Sequence, residues 1–212
     1  MNQDQKIVAY FDFDGTITTC DTLLPFLVFV VGRLRFMLLL PRLLPILLHY
    51  WCRVINNESA KQKTLMVVLR NYSKNYLNEK SRQFALTKLN HYVKPAVYAK
   101  LEWHREHGNK LILVSANLAI YLRHWAKFHK LDDVVATELE FDANNHCSGR
   151  LLTRNCYAEQ KVVRIQQYLR QNKQQFDYSY GYGNSRGDYE MLEYVNEPYY
   201  ISGELIEKWD GR

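Results

Sequence analysis

Two aspartates lie at the end of the first apolar segment of the chain. Asp12 and Asp14 follow the segment Ile7–Phe11, and Gly15 and Thr16 come soon after them. Side chains two residues apart point to the same side of a strand, so the two carboxylates meet at its end. One carboxylate can attack phosphorus and the other can carry a proton to the leaving oxygen, while a divalent cation offsets their repulsion. A bare Asp-x-Asp is more often an acidic turn, but this string after an apolar strand favours phosphoryl-transfer chemistry.

Three further short apolar segments are typical of buried parallel strands, and two of them run directly into a residue that can contact a ligand. The segments are Leu111–Val114, Val134–Thr137 and Tyr178–Tyr182. Ser115 follows the first of them, and Asn184 follows the last after one glycine. Because ligands bind at the carboxyl ends of strands in open parallel sheets, Asp12, Ser115 and Asn184 are expected to converge. We therefore predict an α/β fold with a doubly wound, Rossmann-like parallel sheet.

Four strings along the chain resemble, in order, the motifs of haloacid dehalogenase-like phosphatases. The first is FDFDGT, which contains Asp12 and Asp14. The others are LILVSAN with Ser115, CYAEQK with Lys161, and GYGNSRGDYEML with Asn184 and Asp188. Alone, Ser115 and Lys161 would be an ordinary strand-end serine and an ordinary helix lysine. Their order behind Asp12 makes the resemblance specific.

The resemblance implies a role for each motif residue. Asp12 would be the nucleophile and a ligand of Mg²⁺, and Asp14 would be the general acid/base with its backbone carbonyl on the metal. Asp188 and Asn184 would complete the metal site. The transferring phosphoryl group would be bound by Gly15, Thr16, Ser115, Ala116 and Lys161.

Asn184 departs from the pattern, because the superfamily usually has an aspartate there. Asparagine still offers an oxygen to Mg²⁺, which prefers oxygen ligands, but the site loses one negative charge. We expect weaker metal binding rather than loss of activity. The competing hypothesis is a site that has decayed.

The chain between the first two predicted strands has mostly helical patterning. Pro95 and Gly108 bracket one helix, and Asn78 is the predicted N-cap of another. We predict a catalytic core of residues 1–21 and 108–212 and a helical cap of residues 22–107, which resembles the cap of the phosphoserine phosphatase-like branch, subfamily IB. Further along, Asp142–Gly149 predicts a hairpin turn, and helices are expected near Tyr157 and after Arg186.

Residues 23–51 are unusually apolar and include the strings LLPFLVFVVG, FMLLLP and LLPILL. In a window from Leu27 to Pro45, apolar residues contribute roughly −0.3 to −0.6 kcal/mol each to membrane insertion. Arg33 and Arg35 oppose insertion by about 2.5 to 3.5 kcal/mol each, so the sum is near zero or positive. This pattern favours an interfacial pair of helices over a spanning one. The same residues could instead form the core of the cap. Four arginines are candidates for headgroup contact: Arg33, Arg35, Arg42 and Arg53.

The sequence is compatible with three hypotheses about function. The apolar, proline-broken stretch also resembles bacterial phosphatidylglycerophosphatase C, which implies an anionic lipid phosphate as substrate. The runner-up is a soluble phosphoserine phosphatase-like enzyme, because Asp21 lies nine residues after Asp12, where that family has an acid for the substrate amine. The third is a non-catalytic, membrane-associated scaffold. A phosphotransferase cannot be separated from a hydrolase by sequence, and the oligomeric state is equally unreadable.

Composition narrows the partners and the compartment. The formal charge of +6 and the pI of about 9.0 suit anionic substrates or anionic lipid, and no nucleic-acid-binding motif is present, so no nucleic-acid partner is expected. The four cysteines are widely spaced, which favours reduced thiols over metal ligation or a disulfide framework. The polar segment Met1–Lys6 is unlike a signal peptide. We expect a cytoplasmic protein, peripheral on the cytoplasmic face of the membrane if the apolar segment is interfacial.

Overall fold

The computed structural model describes residues 5–211 and contains eight strands and eight α-helices within that range. The strands are β1 (Ile7–Phe11), β2 (Lys110–Leu118), β3 (Asp133–Thr137), β4 (Leu139–Phe141), β5 (Cys147–Leu151), β6 (Tyr178–Gly183), β7 (Glu197–Ser202) and β8 (Leu205–Lys208). The helices are α1 (Leu23–Val31), α2 (Arg33–Trp51), α3 (Asn57–Leu69), α4 (Lys74–Thr87), α5 (Pro95–Glu106), α6 (Ala119–Phe128), α7 (Glu159–Gln171) and α8 (Tyr189–Tyr194). Residues 1–4, which form most of the polar segment that is unlike a signal peptide, lie outside the described residues.

The central sheet has the strand order β3-β2-β1-β6-β7-β8, and all neighbours are parallel except the antiparallel pair β7 and β8. Side chains alternate between two faces along β1: Ala9 and Phe11 join one apolar cluster, and Val8 and Tyr10 join the other. The second cluster contains residues of α7 and α8, while α5, α6 and most of the inserted helices pack on the first. Helices on both faces confirm the predicted doubly wound α/β fold.

The four predicted strands are present. The predicted helix between Pro95 and Gly108 is α5, and Gly108, just past its end, has a φ of +70°. The predicted N-cap at Asn78 is wrong. Ser73 caps α4 instead by accepting a hydrogen bond from the Tyr76 N–H at 3.3 Å, and Asn78 lies inside the helix. Several polar residues precede this helix, so local chemistry alone does not select its first residue.

A hairpin connects β4 to β5 as predicted, but its turn ends before Cys147 and is shorter than the predicted Asp142–Gly149. The two strands pair antiparallel, and Asp142 Oδ1 accepts from the N–H groups of Asn144 and His146 at 2.9 and 2.8 Å. Gly149 lies in β5 and not in the turn. Its φ is +80°, and a Cβ there would lie 2.4 Å from the Cα of Met66, so glycine allows α3 to approach the hairpin closely.

The apolar segment 23–51 divides at Gly32, whose φ of +82° ends α1 and starts α2. Phe26, Leu27 and Val30 of α1 are buried in the main core, as expected of cap core. In α2 only Leu43 is buried. The helix continues through Pro41 and Pro45. The two halves of the segment therefore have different environments.

All four cysteines lie among the described residues and are free thiols. The division of the chain into a core (1–21 and 108–212) and a cap (22–107) stays a prediction.

Candidate active site

Asp12 directly follows β1 and is almost completely buried. Its N–H donates to the Tyr182 carbonyl at 2.9 Å, which extends the β1–β6 pairing to the carboxylate. Oδ1 accepts from Lys161 Nζ at 2.6 Å, and Oδ2 accepts from Thr16 Oγ1 at 2.9 Å. Burial, reinforced by the charge of Asp188, raises the pKa of Asp12 to about 6, although Lys161 opposes the shift.

Lys161 lies in the first turn of α7 and points into the edge of the sheet. Its Nζ donates to Asp12 Oδ1 and Asp188 Oδ1, both at 2.6 Å, and to the Val114 carbonyl at 3.0 Å. These three contacts use all three N–H donors of the ammonium. Burial by itself would lower the pKa of Lys161, but the two carboxylates outweigh it and hold the pKa above its usual range. A fixed positive charge therefore lies between two buried carboxylates.

Asp188 orders the loop that follows β6. Its Oδ2 accepts from Asn184 N–H at 3.0 Å and from the N–H and hydroxyl of Ser185, both at 2.9 Å. A Cβ at Gly183 would lie 2.5 Å from the Cβ of Asp188, so this approach requires glycine. Since Oδ1 contacts Lys161, neither oxygen of Asp188 is free of protein donors.

Asn184 and Asp12 present oxygens to the same hydroxyl. Thr16 Oγ1 lies 3.0 Å from Asn184 Oδ1 and 2.9 Å from Asp12 Oδ2. Gly15, at a φ of +78°, makes room for the amide, because a Cβ there would lie 2.3 Å from Asn184 Nδ2. The described residues contain no cluster of three His, Cys, Asp or Glu side chains suited to a metal. A cation here would therefore rely on mixed oxygen donors: a carboxylate, an amide and a backbone carbonyl, which suit Mg²⁺.

The Asp14 side chain turns towards the start of α1. Oδ1 accepts from the Thr22 N–H at 3.0 Å and the Thr22 hydroxyl at 2.6 Å, and Oδ2 accepts from the Asn117 amide. The Thr22 hydroxyl in turn lies 2.9 Å from the hydroxyl of the buried Tyr121. Burial and, next, the charge of Asp21 raise the pKa of Asp14 to about 7. A carboxyl group with such a pKa can hold or release a proton near neutral pH.

Ser115 and Ala116 lie in β2 beside Asp12, since Phe11 pairs with Leu113. Ser115 Oγ accepts from the Asn117 N–H at 3.0 Å, so its own hydroxyl hydrogen can donate elsewhere. The Ala116 carbonyl accepts from Lys61 Nζ and Thr137 Oγ1, both at 2.7 Å.

The sequence did not point to four residues that complete this site: Thr22, Lys61, Asn117 and Tyr121. Asn117 stands two positions after Ser115 in LILVSAN, so its place in the motif was visible although its function was not. Lys61 carries no local signal.

The substrate-specificity candidates lie outside the hydrogen-bonded cluster around Asp12. Asp21 is exposed, and its Oδ1 accepts from the N–H of Leu23, the first residue of α1, at 2.8 Å. Its charge nevertheless acts on the pKa of Asp14. The four arginines are all exposed on α2 or just after it: Arg33, Arg35, Arg42 and Arg53.

Comparisons with known proteins give the chain its family. The sequence model of the haloacid dehalogenase-like hydrolases matches residues 9–193. Protein CicA of Caulobacter vibrioides is 29% identical over 203 residues, which cover 94% of this chain and 87% of that protein. A crystal structure of a protein with unknown function from Bordetella pertussis Tohama I superposes with a TM-score of 0.78 at 22% identity and covers 92% of this chain and 89% of its own. The structure of a substrate-bound phosphoserine phosphatase complex superposes with a TM-score of 0.61 at 12% identity. The match covers 93% of this chain and 86% of that one, so the two share the fold.

The family match spans most of the chain and includes Asp12, Asp14, Ser115, Lys161 and Asp188. The predicted hydrolase superfamily and the predicted fold are therefore confirmed. This chain belongs to the haloacid dehalogenase-like hydrolase family.

Proposed function

We propose that the chain is a magnesium-dependent phosphomonoester phosphatase that acts through an aspartyl-phosphate on Asp12. The observation that carries the proposal is the 2.6 Å contact between the buried Asp12 carboxylate and Lys161, with Asp14 held nearby at a raised pKa. A nucleophile, a cation and a carboxyl group that can exchange a proton are the groups that this reaction needs.

In the first half-reaction, an Asp12 oxygen attacks phosphorus and the bond from phosphorus to the leaving oxygen breaks. Asp14 donates its proton to that oxygen, so an alcohol departs. Ser115 and Lys161 stabilise the charge that develops on the phosphoryl group. In the second half-reaction, water attacks phosphorus, its proton passes to Asp14, and the bond to Asp12 breaks to release phosphate. Gly15, Thr16 and Ala116 stay predicted phosphoryl contacts.

The oxygens around Asp12 fit the predicted cofactor, Mg²⁺. Asp12, the Asp14 backbone carbonyl and Asn184 would hold it. Asp188, whose oxygens accept from Lys161, Asn184 and Ser185, would contribute directly or through water. When bound, the ion supplies positive charge that offsets the carboxylates and the phosphoryl group. The raised pKa of Asp12 supports this assignment, because it marks a buried carboxylate that Lys161 compensates only in part.

Release of phosphate from 4-nitrophenyl phosphate tests this chemistry. We expect turnover with Mg²⁺, loss of it with chelator, and at least a thousandfold loss in Asp12→Asn with the circular dichroism spectrum retained. Glu193→Gln, an exposed carboxylate, is the matched control. Normal turnover in Asp12→Asn would refute the mechanism. Absence of turnover in every protein would favour the scaffold alternative.

For the substrate, we propose a lipid phosphate such as phosphatidylglycerophosphate, reached by a protein peripheral on the cytoplasmic face of the membrane. The support is the outer face of α2, where Leu34, Leu38 and Trp51 are 81%, 79% and 83% exposed. Further exposed apolar residues on this helix are Met37, Leu44, Leu47 and Leu48. Contiguous apolar exposure of this kind marks an interaction surface, and the exposed arginines beside it suit anionic headgroups.

The apolar window from Leu27 to Pro45 is not a single continuous helix. Arg33 and Arg35 lie in the first turn of α2 and not at the centre of a continuous apolar helix, because the chain breaks at Gly32. Among the described residues, α2 alone is long and apolar enough to cross a membrane by length and composition, at 19 residues or ~28 Å. Arg42, Pro41 and Pro45 within it still favour the interfacial arrangement.

Sedimentation with vesicles tests the membrane proposal. We expect binding to vesicles with anionic lipid, release at high salt, and loss of binding in Leu34→Glu/Leu38→Glu. Leu205→Glu changes another exposed leucine, outside α2, and is the control. Resistance to salt and alkaline extraction would indicate a spanning helix instead. No binding at low salt would favour the runner-up, a soluble enzyme for small phosphomonoesters, which Asp21 beside Asp14 supports.

A further inference from the structure

Lys61 brings a second ammonium group to the edge of the site. It lies on the second turn of α3, and its Nζ donates to the Ala116 carbonyl at 2.7 Å and to Asn155 Oδ1 at 3.2 Å. Ala116 follows Ser115, so the ammonium is anchored one residue from the predicted phosphoryl-binding hydroxyl. None of the motifs contains Lys61.

No carboxylate in the described part of the chain forms an ion pair with the ammonium of Lys61. Within residues 5–211, the buried Lys161 contacts two carboxylates, whereas no carboxylate lies at ion-pairing distance from Lys61. Its two hydrogen bonds go to neutral oxygens and leave one N–H available. The residue is partly buried, yet its ammonium is desolvated enough to lower the pKa of Lys61, although the charges of Asp21 and Asp14 oppose the shift. A desolvated cation without an anion is unfavourable, so a bound anion would stabilise it.

The position of Lys61 is set by the buried Asn155. Asn155 Nδ2 donates to Asn57 Oδ1 at 3.0 Å, and its N–H donates to Glu58 Oε2 at 2.8 Å. Its Oδ1 accepts from Lys61 and lies 3.0 Å from Thr137 Oγ1. The first turns of α3 are therefore tied to the segment before α7. Because the lysine is already ordered, binding an anion costs less side-chain entropy.

The direction of the proposed reaction places the leaving group on the side of the site from which Lys61 comes. In an in-line displacement, the attacking and leaving oxygens lie on opposite sides of phosphorus. Asp12 attacks from the sheet, so the leaving group extends towards the inserted helices, where Asp14 meets Thr22. Lys61 comes from one of those helices.

We infer that Lys61 forms a subsite for a second anionic group, a carboxylate or a phosphodiester, on the leaving-group part of the substrate. The inference rests on the proposed phosphatase function and narrows its substrate class to phosphomonoesters with a second negative charge. Two chemical sources fit this subsite: a phosphodiester in a lipid and a carboxylate in a small metabolite.

Two matched pairs of ligands distinguish these sources. The dissociation constant of each ligand is measured with the Asp12→Asn protein in the presence of Mg²⁺. Phosphatidylglycerophosphate and phosphatidic acid, in the same micelles, differ by a phosphodiester. O-phosphoserine and O-phosphoethanolamine differ by a carboxylate. We expect the doubly anionic member of one pair to bind roughly 10- to 100-fold tighter, the range for one charge-assisted hydrogen bond. That pair identifies the source.

Variants of Lys61 then test whether it makes the contact. Lys61→Gln should reduce the preferred pair's ratio of dissociation constants to about one, and Lys61→Arg should restore most of it. Lys63→Gln, an exposed lysine on the same helix, should keep the ratio. If Lys61→Gln loses its circular dichroism spectrum, Lys61→Met, which keeps the aliphatic length, takes its place.

Two results would overturn the inference. One is the absence of a preference in both pairs before Lys61 is changed. The other is equal weakening of both members in Lys61→Gln, which would place Lys61 on the transferring phosphoryl group. Because this readout is binding, it is separate from the turnover assay that tests the proposed function.

Discussion

The ammonium of Lys161 lies 2.6 Å from the carboxylate of Asp12, and both residues are buried. A buried ion pair contributes little net stability compared with apolar packing of the same volume, because both charges lose their hydration. Loss of one partner is nevertheless costly, since the other charge remains uncompensated. The pair is therefore better explained by chemistry at Asp12 than by stability of the fold.

Lys161→Met should destabilise the protein and abolish turnover. Removal of the ammonium leaves Asp12 and Asp188 facing each other without compensation, which costs about 3–5 kcal/mol in a buried pair. Urea unfolding at neutral pH measures this loss, with Lys63→Met as the exposed control. In a double-mutant cycle, Asp188→Asn should recover part of the stability but no activity. A loss below about 0.5 kcal/mol in Lys161→Met would contradict the contact geometry.

Asn184→Asp should strengthen Mg²⁺ binding. The new carboxylate would face the oxygen of Asp12 through Thr16, so one more negative charge would surround the cation. We expect half-maximal activity at roughly tenfold less Mg²⁺ and lower stability without the metal, because the two carboxylates repel each other. Activity and melting temperature, each titrated with Mg²⁺, measure the two effects. Asn172→Asp is the surface control, and an unchanged Mg²⁺ requirement in Asn184→Asp would remove Asn184 from the metal site.

The pH dependence of kcat/KM should be bell-shaped for alkyl phosphates. In the proposed mechanism Asp12 must be ionised to attack, so activity rises as pH increases through its pKa, which burial raises to about 6 without the metal and which bound Mg²⁺ would lower. Asp14 must be protonated to assist departure, so activity falls above its pKa of about 7. 4-Nitrophenyl phosphate has a good leaving group that needs no proton, so its profile should lose the alkaline limb. The same alkaline limb for both substrates would argue against Asp14 as the acid.

His104 should make the fold sensitive to mild acid. Its ring lies 2.8 Å from both Tyr182 OH and Asn109 Nδ2, and burial, followed by the charge of Lys100, lowers the pKa of His104 to about 3. The folded state thus favours the neutral ring, and this contribution is complete above about pH 6.5 and is lost as pH falls towards 3. The free energy of unfolding should fall by about 1.4 kcal/mol per pH unit in that window.

Urea unfolding from about pH 7 to about pH 5 measures this slope. His104→Leu should be less stable than the starting protein at neutral pH, because it loses two hydrogen bonds, but it should depend less on pH. His146→Gln, an exposed histidine, should keep the original slope. Equal slopes in all three proteins would show that carboxylates alone set the acid sensitivity.

The predicted parts of the fold are those with strong local signals. β1, β2, β3 and β6 are apolar runs, and α5 has a proline at its start and a glycine just past its end. β7 and β8 were not predicted, because most of their residues are only partly buried or exposed and pairing with β6 and with each other holds them. β8 is the edge strand of the sheet and β7 lies next to it, and such strands depend on hydrogen bonds to neighbours rather than on a hydrophobic pattern.

The amino-acid sequence by itself determined which groups could perform the chemistry. Asp12, Asp14, Ser115, Lys161 and Asp188 could be found because motif residues are constrained by type and order along the chain. Tertiary structure alone decided their environment, including the burial that raises two carboxyl pKa values.

Contacts between distant segments were also decided by tertiary structure alone. Lys61 meets Ala116, and Asn117 meets Asp14, across separations of 55 and 103 residues that no local pattern encodes. The exposure of α2 was likewise undecided by sequence, because an apolar helix has the same composition whether it packs inside a cap or faces outward. The physical reason is that chemical identity belongs to single residues, whereas burial, pKa and exposure depend on what the rest of the chain brings to each side chain.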